Sequence, residues 1–235
     1  SSPRGQTLFE KIIARHALSG PGLPAPTAVG EGGFVRADLR FIHEYYTAMA
    51  AHLLAQQHGD ALTLHDAASI VCFEDHLSYV HRSPVHVAQG LVPSVAGLSR
   101  GHRAFVERHG LKHHGYLQAL EAGDEGNTGS HGISHAMVAE GYALPGQLIV
   151  GTDSHTPHSG ALGCVAFGVG TTDMANAFVT GAVRFTLPGV LRVEVSGLLP
   201  AGVSAKDLAL HLLARADVRA GIGVGQVFEF GGEAV

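Results

Sequence analysis

The densest run of residues able to do chemistry in this sequence is a set of five: Asp153, Ser154, His155, Thr156 and His158. The run directly follows an apolar stretch over 147–150, which is predicted to be a strand. In open α/β sheets, ligands bind outside the carboxyl ends of the strands. A carboxylate, a hydroxyl and an imidazole at such an end predict the floor of an active site. A polar turn that only caps the next element is an equal alternative on spacing alone.

Two further places combine a histidine with the end or start of an element. Asp75 and His76 follow a short apolar run over 69–73 that is predicted to be a buried strand, and His135 lies at the start of a predicted helix. A carboxylate beside a histidine orients the imidazole and raises its basicity, as acid–base catalysis requires. Taken singly, each histidine is more simply explained as a solvated or structurally bonded residue, and that alternative stays open.

The elements that must position these residues alternate between strands and helices. The predicted strands cover 35–41, 69–73, 147–150, 190–195 and 224–230. The predicted helices cover 7–16, 45–57, 93–109, 133–142 and 171–183, and a further helix starts at Ser204. Strands alternating with helices predict α/β domains with layered α/β/α architecture and mainly parallel, buried sheets. Glu44 and Thr47 come soon after the first strand and are candidate site residues as well.

Two finer placements follow from the periodicity of these elements. The alternation over 35–41 puts Arg36, Asp38 and Arg40 on the polar face of the first strand, because successive side chains of a strand point to opposite faces. Helical spacing puts Leu208, Leu212 and Leu213 on the buried face of the helix that starts at Ser204.

The composition limits the classes of function that the chain can have. A formal net charge of −5 argues against non-specific binding of nucleic acid. The sequence contains no apolar run of membrane-spanning length and no charged-then-apolar leader, so we expect a cytoplasmic protein. Only 15% of the residues are charged, against about 25% in an ordinary domain. This fits a chain that buries much of its surface against another polypeptide.

Cysteine usage argues against both a disulfide scaffold and a cluster held by this chain alone. The sequence has two cysteines, Cys72 and Cys164. A four-iron cluster takes about three or four thiolates, so two cysteines do not suffice. Cys72 lies in a predicted buried strand and Cys164 in a glycine-rich stretch, and packing explains both better than metal ligation.

With their flanking residues, these motifs resemble the signature shared by aconitases, homoaconitases and isopropylmalate isomerase large subunits. The matching core consists of His135, Glu140-Gly141-Tyr142, Pro145-Gly146, Val150-Gly151-Thr152-Asp153-Ser154-His155-Thr156, Gly160, Gly163 and Gly168-Val169-Gly170. The opening stretch 7–16, the Asp75-His76 pair and the stretch 193–230 resemble the same enzymes. The resemblance covers essentially the whole chain, and the run 152–156 is its most specific part.

The resemblance implies an aconitase-like fold in which 1–235 is the amino-terminal region. A division into two α/β subdomains near 185–200 is left open. The family's cluster cysteines, one single cysteine and a later Cys-x-x-Cys, and its mobile swivel domain are absent from this sequence. We therefore expect partner polypeptides that carry the cluster and the swivel domain. A fragment of a longer enzyme explains the same absence equally well.

The resemblance also implies a hydro-lyase or isomerase that dehydrates or hydrates a small hydroxy di- or tricarboxylic acid. The implied cofactor is a 4Fe-4S cluster, which acts as a Lewis acid and whose ligands are not in this chain. The catalytic candidates carried over from the family are Asp75, His76, His135, Asp153 and His155. The substrate-binding candidates are Ser154, Thr156, Glu44 and Thr47, and no metal ligand is expected in this chain.

One departure from the family concerns 44–50, where a glutamine that touches substrate is usual and this sequence has none. Tyr45 and Tyr46 suggest a different substrate shape at that wall. Two other classes of function stay open. One is a degenerate, non-catalytic or regulatory domain, and the other is a different metal-dependent enzyme that uses Asp153, His155 and His158 as ligands, with His135 as a further one.

Overall fold

The computed structural model describes residues 5–80, 83–115, 130–219 and 225–234. Within them the helices are α1 (Leu8–His16), α2 (Glu44–His58), α3 (Pro84–Ala88), α4 (Val92–His109), α5 (Ser134–Gly141), α6 (Thr171–Thr180), α7 (Ala205–Ala214) and α8 (Ala216–Arg219). The strands are β1 (Gly32–Arg36), β2 (Leu39–His43), β3 (Ile70–Phe73), β4 (Lys112–His114), β5 (Leu148–Gly151), β6 (Val165–Gly168), β7 (Ala182–Thr186), β8 (Gly189–Glu194) and β9 (Gln226–Gly231). Short 3-10 helices cover Gly59–Ala61, Ala67–Ser69 and Thr156–Leu162.

A five-stranded sheet is the frame of the compact unit formed by residues 35–183. The strand order is β4-β3-β2-β5-β6, and every pairing is parallel. All residues of β2, β3 and β5 are buried. Strands covered on both faces are nearly continuous in apolar residues, as these are. The predicted class, α/β with a mainly parallel buried sheet, is confirmed.

Helices cover both faces of this sheet. On one face the core contains Phe41, Phe73 and Ile149 together with Val138 of α5. On the other face Arg40 reaches α6, where it donates a hydrogen bond to the carbonyl of Ala177. Because successive side chains of a strand point to opposite faces, α5 and α6 lie on opposite sides of β2.

Residues 1–34 and 184–235 form the second compact unit. Its helix α1 starts with the capping box typical of a Thr-x-x-Glu sequence, in which Thr7 and Glu10 each accept the other's backbone N–H. In the same unit β8 pairs with β9 in parallel, from Gly189↔Gln226 to Glu194↔Gly231. The strands β1 and β7, which pair with each other, carry the chain from one unit into the other.

Most predicted elements are confirmed, and the errors lie at turns. The helices predicted over 7–16, 45–57 and 93–109 and the strands predicted over 69–73 and 147–150 match to within one residue at each end. The strand predicted over 35–41 is in fact two strands, β1 and β2. The helix predicted over 171–183 is too long, because Gly181 takes a left-handed conformation (φ 73°) that ends α6 and β7 follows.

The placement of Arg40 on a polar face is wrong, because its side chain is wholly buried. The guanidinium donates hydrogen bonds to the carbonyls of Ala177 (2.7 Å), His65 (2.8 Å) and Asp66 (3.0 Å) and to the hydroxyl of Ser69. These acceptors help to satisfy the buried guanidinium and connect β2 to two other parts of the unit. Alternation along one strand cannot reveal them, because they come from two other segments, residues 65–69 and α6.

The predicted burial of Leu208, Leu212 and Leu213 is also wrong. No residue of α7 is fully buried, and Leu213 is 47% exposed. Helical spacing decides which residues share a face, but not whether another element covers that face. Among the described residues, every helix is too short or too polar to span a bilayer.

Replacing the buried guanidinium tests its structural role. We expect Arg40→Met to lower the free energy of unfolding by about 3 kcal/mol or more, because the charged hydrogen bonds that connect β2 to α6 and to residues 65–69 are lost. Arg36→Met, at an exposed position of β1, is the matched control and should change it by less than about 0.5 kcal/mol. Urea unfolding measures both values, and equal effects of the two substitutions would contradict this role.

Candidate active site

The candidate residues meet because three neighbouring strands end at the same edge of the sheet. Strands β3, β2 and β5 are adjacent and parallel, so their carboxyl ends lie side by side. Glu44 follows β2, the Asp75-His76 pair follows β3, and Asp153 follows β5. This edge is where open parallel sheets bind their ligands.

Asp153 is the centre of the arrangement and is only 2% exposed. Its carboxylate accepts hydrogen bonds from the backbone N–H of His155 (2.9 Å), from the Ser134 hydroxyl (3.3 Å) and from Nδ1 of His135 (2.6 Å). Burial alone would raise the pKa of Asp153. The hydrogen bonds from His155 and His135 outweigh burial and lower this pKa to about 2. The carboxylate is therefore ionised at neutral pH.

Asp75 and His76 form the second carboxylate–imidazole pair. His76 Nδ1 lies 2.7 Å from Asp75 Oδ1, while the other oxygen of Asp75 accepts the backbone N–H of Ser134 at 2.6 Å. Burial lowers the pKa of His76, but the hydrogen bond and the negative charge of Asp75 outweigh burial, so the net shift is upward. His76 Nε2 lies 4.0 Å from Asp153 Oδ1, so the two pairs share one site.

His155 and Ser154 form the open side of the site. The His155 side chain is 70% exposed, and its ring stacks on that of His135 with the centroids 4.7 Å apart. Ser154 is exposed, and its hydroxyl lies 3.2 Å from His155 Nδ1. Both side chains can reach a molecule that arrives from solvent.

Glu44, Thr47 and Thr156, which were expected to touch substrate, are instead buried. The Glu44 carboxylate accepts the backbone N–H groups of Leu77 (2.6 Å) and Asp75 (3.2 Å), and burial raises its pKa to about 7. The hydroxyls of Thr47 and Thr156 donate to the carbonyls of His43 and Asp153. The three side chains hold the loops of the site from behind, so we assign them a supporting role.

Sequence reasoning missed two residues of the site, Ser134 and His43. Ser134 binds both carboxylates, through its backbone N–H to Asp75 and its hydroxyl to Asp153. His43 is 2% exposed and stacks on the ring of His76. A signal for His43 existed, since it is the polar last residue of β2 and directly follows the apolar Phe41 and Ile42.

Two glycines allow the backbone to pack this tightly. A Cβ at Gly151 would collide with the ring of Phe41 and the hydroxyl of Thr156. A Cβ at Gly168 would lie 3.1 Å from the carbonyl oxygen of Asp153. β5 therefore needs glycine at position 151, and a side chain at position 168 would crowd the loop that carries Asp153.

Burial favours the neutral form of three histidines in this unit: His43 and His102, which are buried, and His113, whose side chain is 25% exposed. Burial is the largest cause that lowers the pKa of His43 to about 4, of His102 to about 3 and of His113 to about 4. His102 Nδ1 lies 2.7 Å from the Thr47 hydroxyl, which connects α4 to α2. An imidazolium has a large desolvation cost in such surroundings.

The donor groups of this unit do not suit a four-iron cluster. Burial raises the pKa of the thiols of Cys72 and Cys164, and Cys164 donates its S–H to the carbonyl of Leu144. Such a cluster requires about three or four thiolates. Among the described residues, two groups lie close enough to hold a single metal ion: His43, Glu44 and His76, and His135, Asp153 and His155. The second group contains Asp153, His155 and His135 of the alternative metal site, but not His158.

The fold and the site define a class, an α/β protein with paired carboxylates and imidazoles at the carboxyl edge of a parallel sheet. The profile of the Aconitase family (aconitate hydratase) matches residues 10–235. The chain belongs to the aconitase family.

The chain is similar to named dehydratase large subunits and to a named aconitate hydratase. The chain is 33% identical to the 3-isopropylmalate dehydratase large subunit 1 of Methanopyrus kandleri over 209 residues, 88% of this chain and 43% of the relative. It is 31% identical to the 3-isopropylmalate dehydratase large subunit of Geobacter sulfurreducens over 232 residues, 98% of this chain and 47% of the relative. A putative mitochondrial aconitate hydratase of Aspergillus fumigatus is 43% identical over 104 residues, 44% of this chain and 13% of the relative. The chain thus spans about half the length of the dehydratase subunits.

The histidines with lowered pKa make the fold less stable as the pH falls. A histidine whose pKa is lowered by folding takes up its proton first in the unfolded chain. Stability is therefore undiminished above pH 6.5 and is lost as pH falls toward the folded pKa of about 3 for His102. In this window each such histidine makes the free energy of unfolding fall by up to about 1.4 kcal/mol for each pH unit of acidification.

Between about pH 4 and 6 we expect the free energy of unfolding of His102→Gln to fall less steeply with acidification, because one buried histidine is gone. The control is His52→Gln, at an exposed position of α2. Urea unfolding at several pH values gives the slopes. An unchanged slope in the His102 variant would contradict a neutral buried imidazole at this position.

Proposed function

We propose that this chain supplies the histidine–aspartate part of the active site of an aconitase-type hydro-lyase. The observation that carries the proposal is the convergence of two carboxylate–imidazole pairs, with His76 Nε2 4.0 Å from Asp153 Oδ1. Membership of the aconitase family supports it. The substrates that we propose are hydroxy di- or tricarboxylic acids, in keeping with the relatives' names, 3-isopropylmalate dehydratase and aconitate hydratase.

His76 is the proposed proton donor to the departing hydroxyl. Dehydration breaks a carbon–oxygen bond, and the oxygen leaves more easily as water than as hydroxide, so a positioned acid speeds the step. The raised pKa of His76 keeps more of it protonated near neutrality. The proton leaves from Nε2, while Nδ1 keeps its hydrogen bond to Asp75. In the hydration direction the neutral ring takes a proton from water.

His135, His155 and Ser154 are proposed to bind the anionic substrate. Asp153 holds His135 through a 2.6 Å hydrogen bond and fixes the His155 backbone. This leaves the exposed His155 ring and the Ser154 hydroxyl directed toward a substrate carboxylate. Glu44, Thr47 and Thr156 support this arrangement from behind and are not proposed to touch substrate.

The proposed cofactor is a 4Fe-4S cluster whose thiolates come from another polypeptide segment, because the two buried cysteines of this chain do not fit it. We draw no step through the cluster. The group that removes the carbon-bound proton is proposed to come from the same additional segment. The name "large subunit" that the relatives carry supports a partner polypeptide.

One other candidate function has an observation in its favour. His135, Asp153 and His155 together resemble the two-histidine, one-carboxylate sites that hold mononuclear iron or zinc. Their nitrogen and oxygen atoms already bond to each other, so an ion would have to replace those hydrogen bonds. We therefore rank a mononuclear metalloenzyme second.

Replacing the proposed proton donor tests the function. In the assembled enzyme we expect His76→Gln to lower kcat by about 10²–10⁴-fold with little change in KM, because acid catalysis is lost while substrate binding is kept. The assay follows alkene formation from hydroxy di- and tricarboxylates. His58→Gln, at an exposed position of α2, is the control. A His76→Gln enzyme with kcat within twofold of the unchanged enzyme would exclude this role and favour a non-catalytic domain.

A further inference from the structure

The imidazole of His43 lies face to face with that of His76. The ring centroids are 3.5 Å apart and the ring planes differ by 7°. His43 is 2% exposed, whereas the side chain of His76 is 35% exposed. The buried ring of His43 thus forms a flat surface, or floor, beneath the accessible ring of His76.

The backbone and the ring of His43 are each held in place. The Thr47 hydroxyl donates to the carbonyl of His43 at 3.0 Å, and the Thr152 hydroxyl lies 3.4 Å from its backbone N–H. The ring of Tyr46 lies 5.0 Å from that of His43, centroid to centroid. His43 is therefore less free to move than the ring above it.

His76 needs such a floor, because its polar contacts with the described residues do not restrain the whole ring. The hydrogen bond of Nδ1 to Asp75 fixes one edge at 2.7 Å. Nε2 lies 4.0 Å from Asp153, beyond hydrogen-bond distance. A single hydrogen bond leaves the ring free to tilt about that edge, and a flat surface at van der Waals distance removes this freedom.

We propose that His43 is a positioning residue that holds the imidazole plane of His76 against its hydrogen bond to Asp75. The proposal rests on the proposed function only because that function makes His76 the proton donor. The inference about ring geometry stands on the stack itself.

The charges around the stack favour a pair in which His76 is protonated and His43 is neutral. The ionisable groups that act on His43 include His76, Asp75, Asp153 and His102, and Glu44 is its neighbour in sequence. Burial first, and then the adjacent His76, lower the pKa of His43 to about 4. Two imidazolium rings at this distance would repel each other, and a neutral floor avoids that cost.

The test is the tautomer of neutral His76 in the full chain, read by long-range ¹H–¹⁵N NMR at about pH 8.5. In the unchanged protein we expect the Nδ1–H form to exceed the Nε2–H form by about tenfold or more, since a hydrogen bond to a carboxylate has about that effect. Comparable amounts of the two forms would overturn the proposal at once.

Substitutions of His43 separate the flat ring from simple filling of space. We expect His43→Phe to keep the tautomer ratio within about twofold, whereas His43→Leu should lower it by about tenfold because the floor is no longer flat. His52→Leu, at an exposed position of α2, controls for loss of a histidine. An unchanged ratio in the leucine variant, or an equal loss in the phenylalanine variant, would refute the positioning role.

The amide spectrum checks that each variant is folded, and His43→Met replaces the leucine variant if that spectrum collapses. If both ringless variants unfold, the phenylalanine variant decides, because a positioning role requires it to keep the ratio. No step of this measurement requires turnover. A failure here therefore leaves the proposed function standing, and a failure of the activity test leaves the ring geometry standing.

Discussion

The buried carboxylate of Asp153 is the interaction on which the rest of the site depends. It joins the loop after β5 to the start of α5 through His155, Ser134 and His135. These hydrogen bonds keep it ionised although it is 2% exposed. A buried charge with several donors is costly to move, so each group bonded to it has little freedom.

The second carboxylate extends this constraint to the neighbouring strand. Asp75 accepts the backbone N–H of Ser134 at the first turn of α5, and Asp153 accepts the hydroxyl of the same residue. Negative charge is favoured at the N-terminus of a helix, where backbone N–H groups are free to donate. One short helix therefore aligns both carboxylate–imidazole pairs. Glu44 adds a third anchor by binding the backbone on either side of His76.

The parts of the fold that follow from local pattern could be predicted from the sequence. The strands β3 and β5 are buried apolar runs, and the residues after them are the polar ones that meet at the sheet edge. The burial of Arg40 could not be predicted, because its partners come from distant segments. The burial of Thr47 and Thr156 was also missed. The sequence does not distinguish a threonine hydroxyl that donates to a nearby carbonyl from one that faces a ligand. Ser134 was missed because its partners lie 59 and 19 residues away.

The central claim is that this histidine–aspartate site works with a cluster held by other cysteines. The most direct measurement is anaerobic affinity purification of the chain from its native host, with iron and sulfide counted in the purified material. The account predicts a cysteine-bearing polypeptide and about four irons per chain. A chain that is purified alone and without iron, from cells that produce it in active form, would contradict the account.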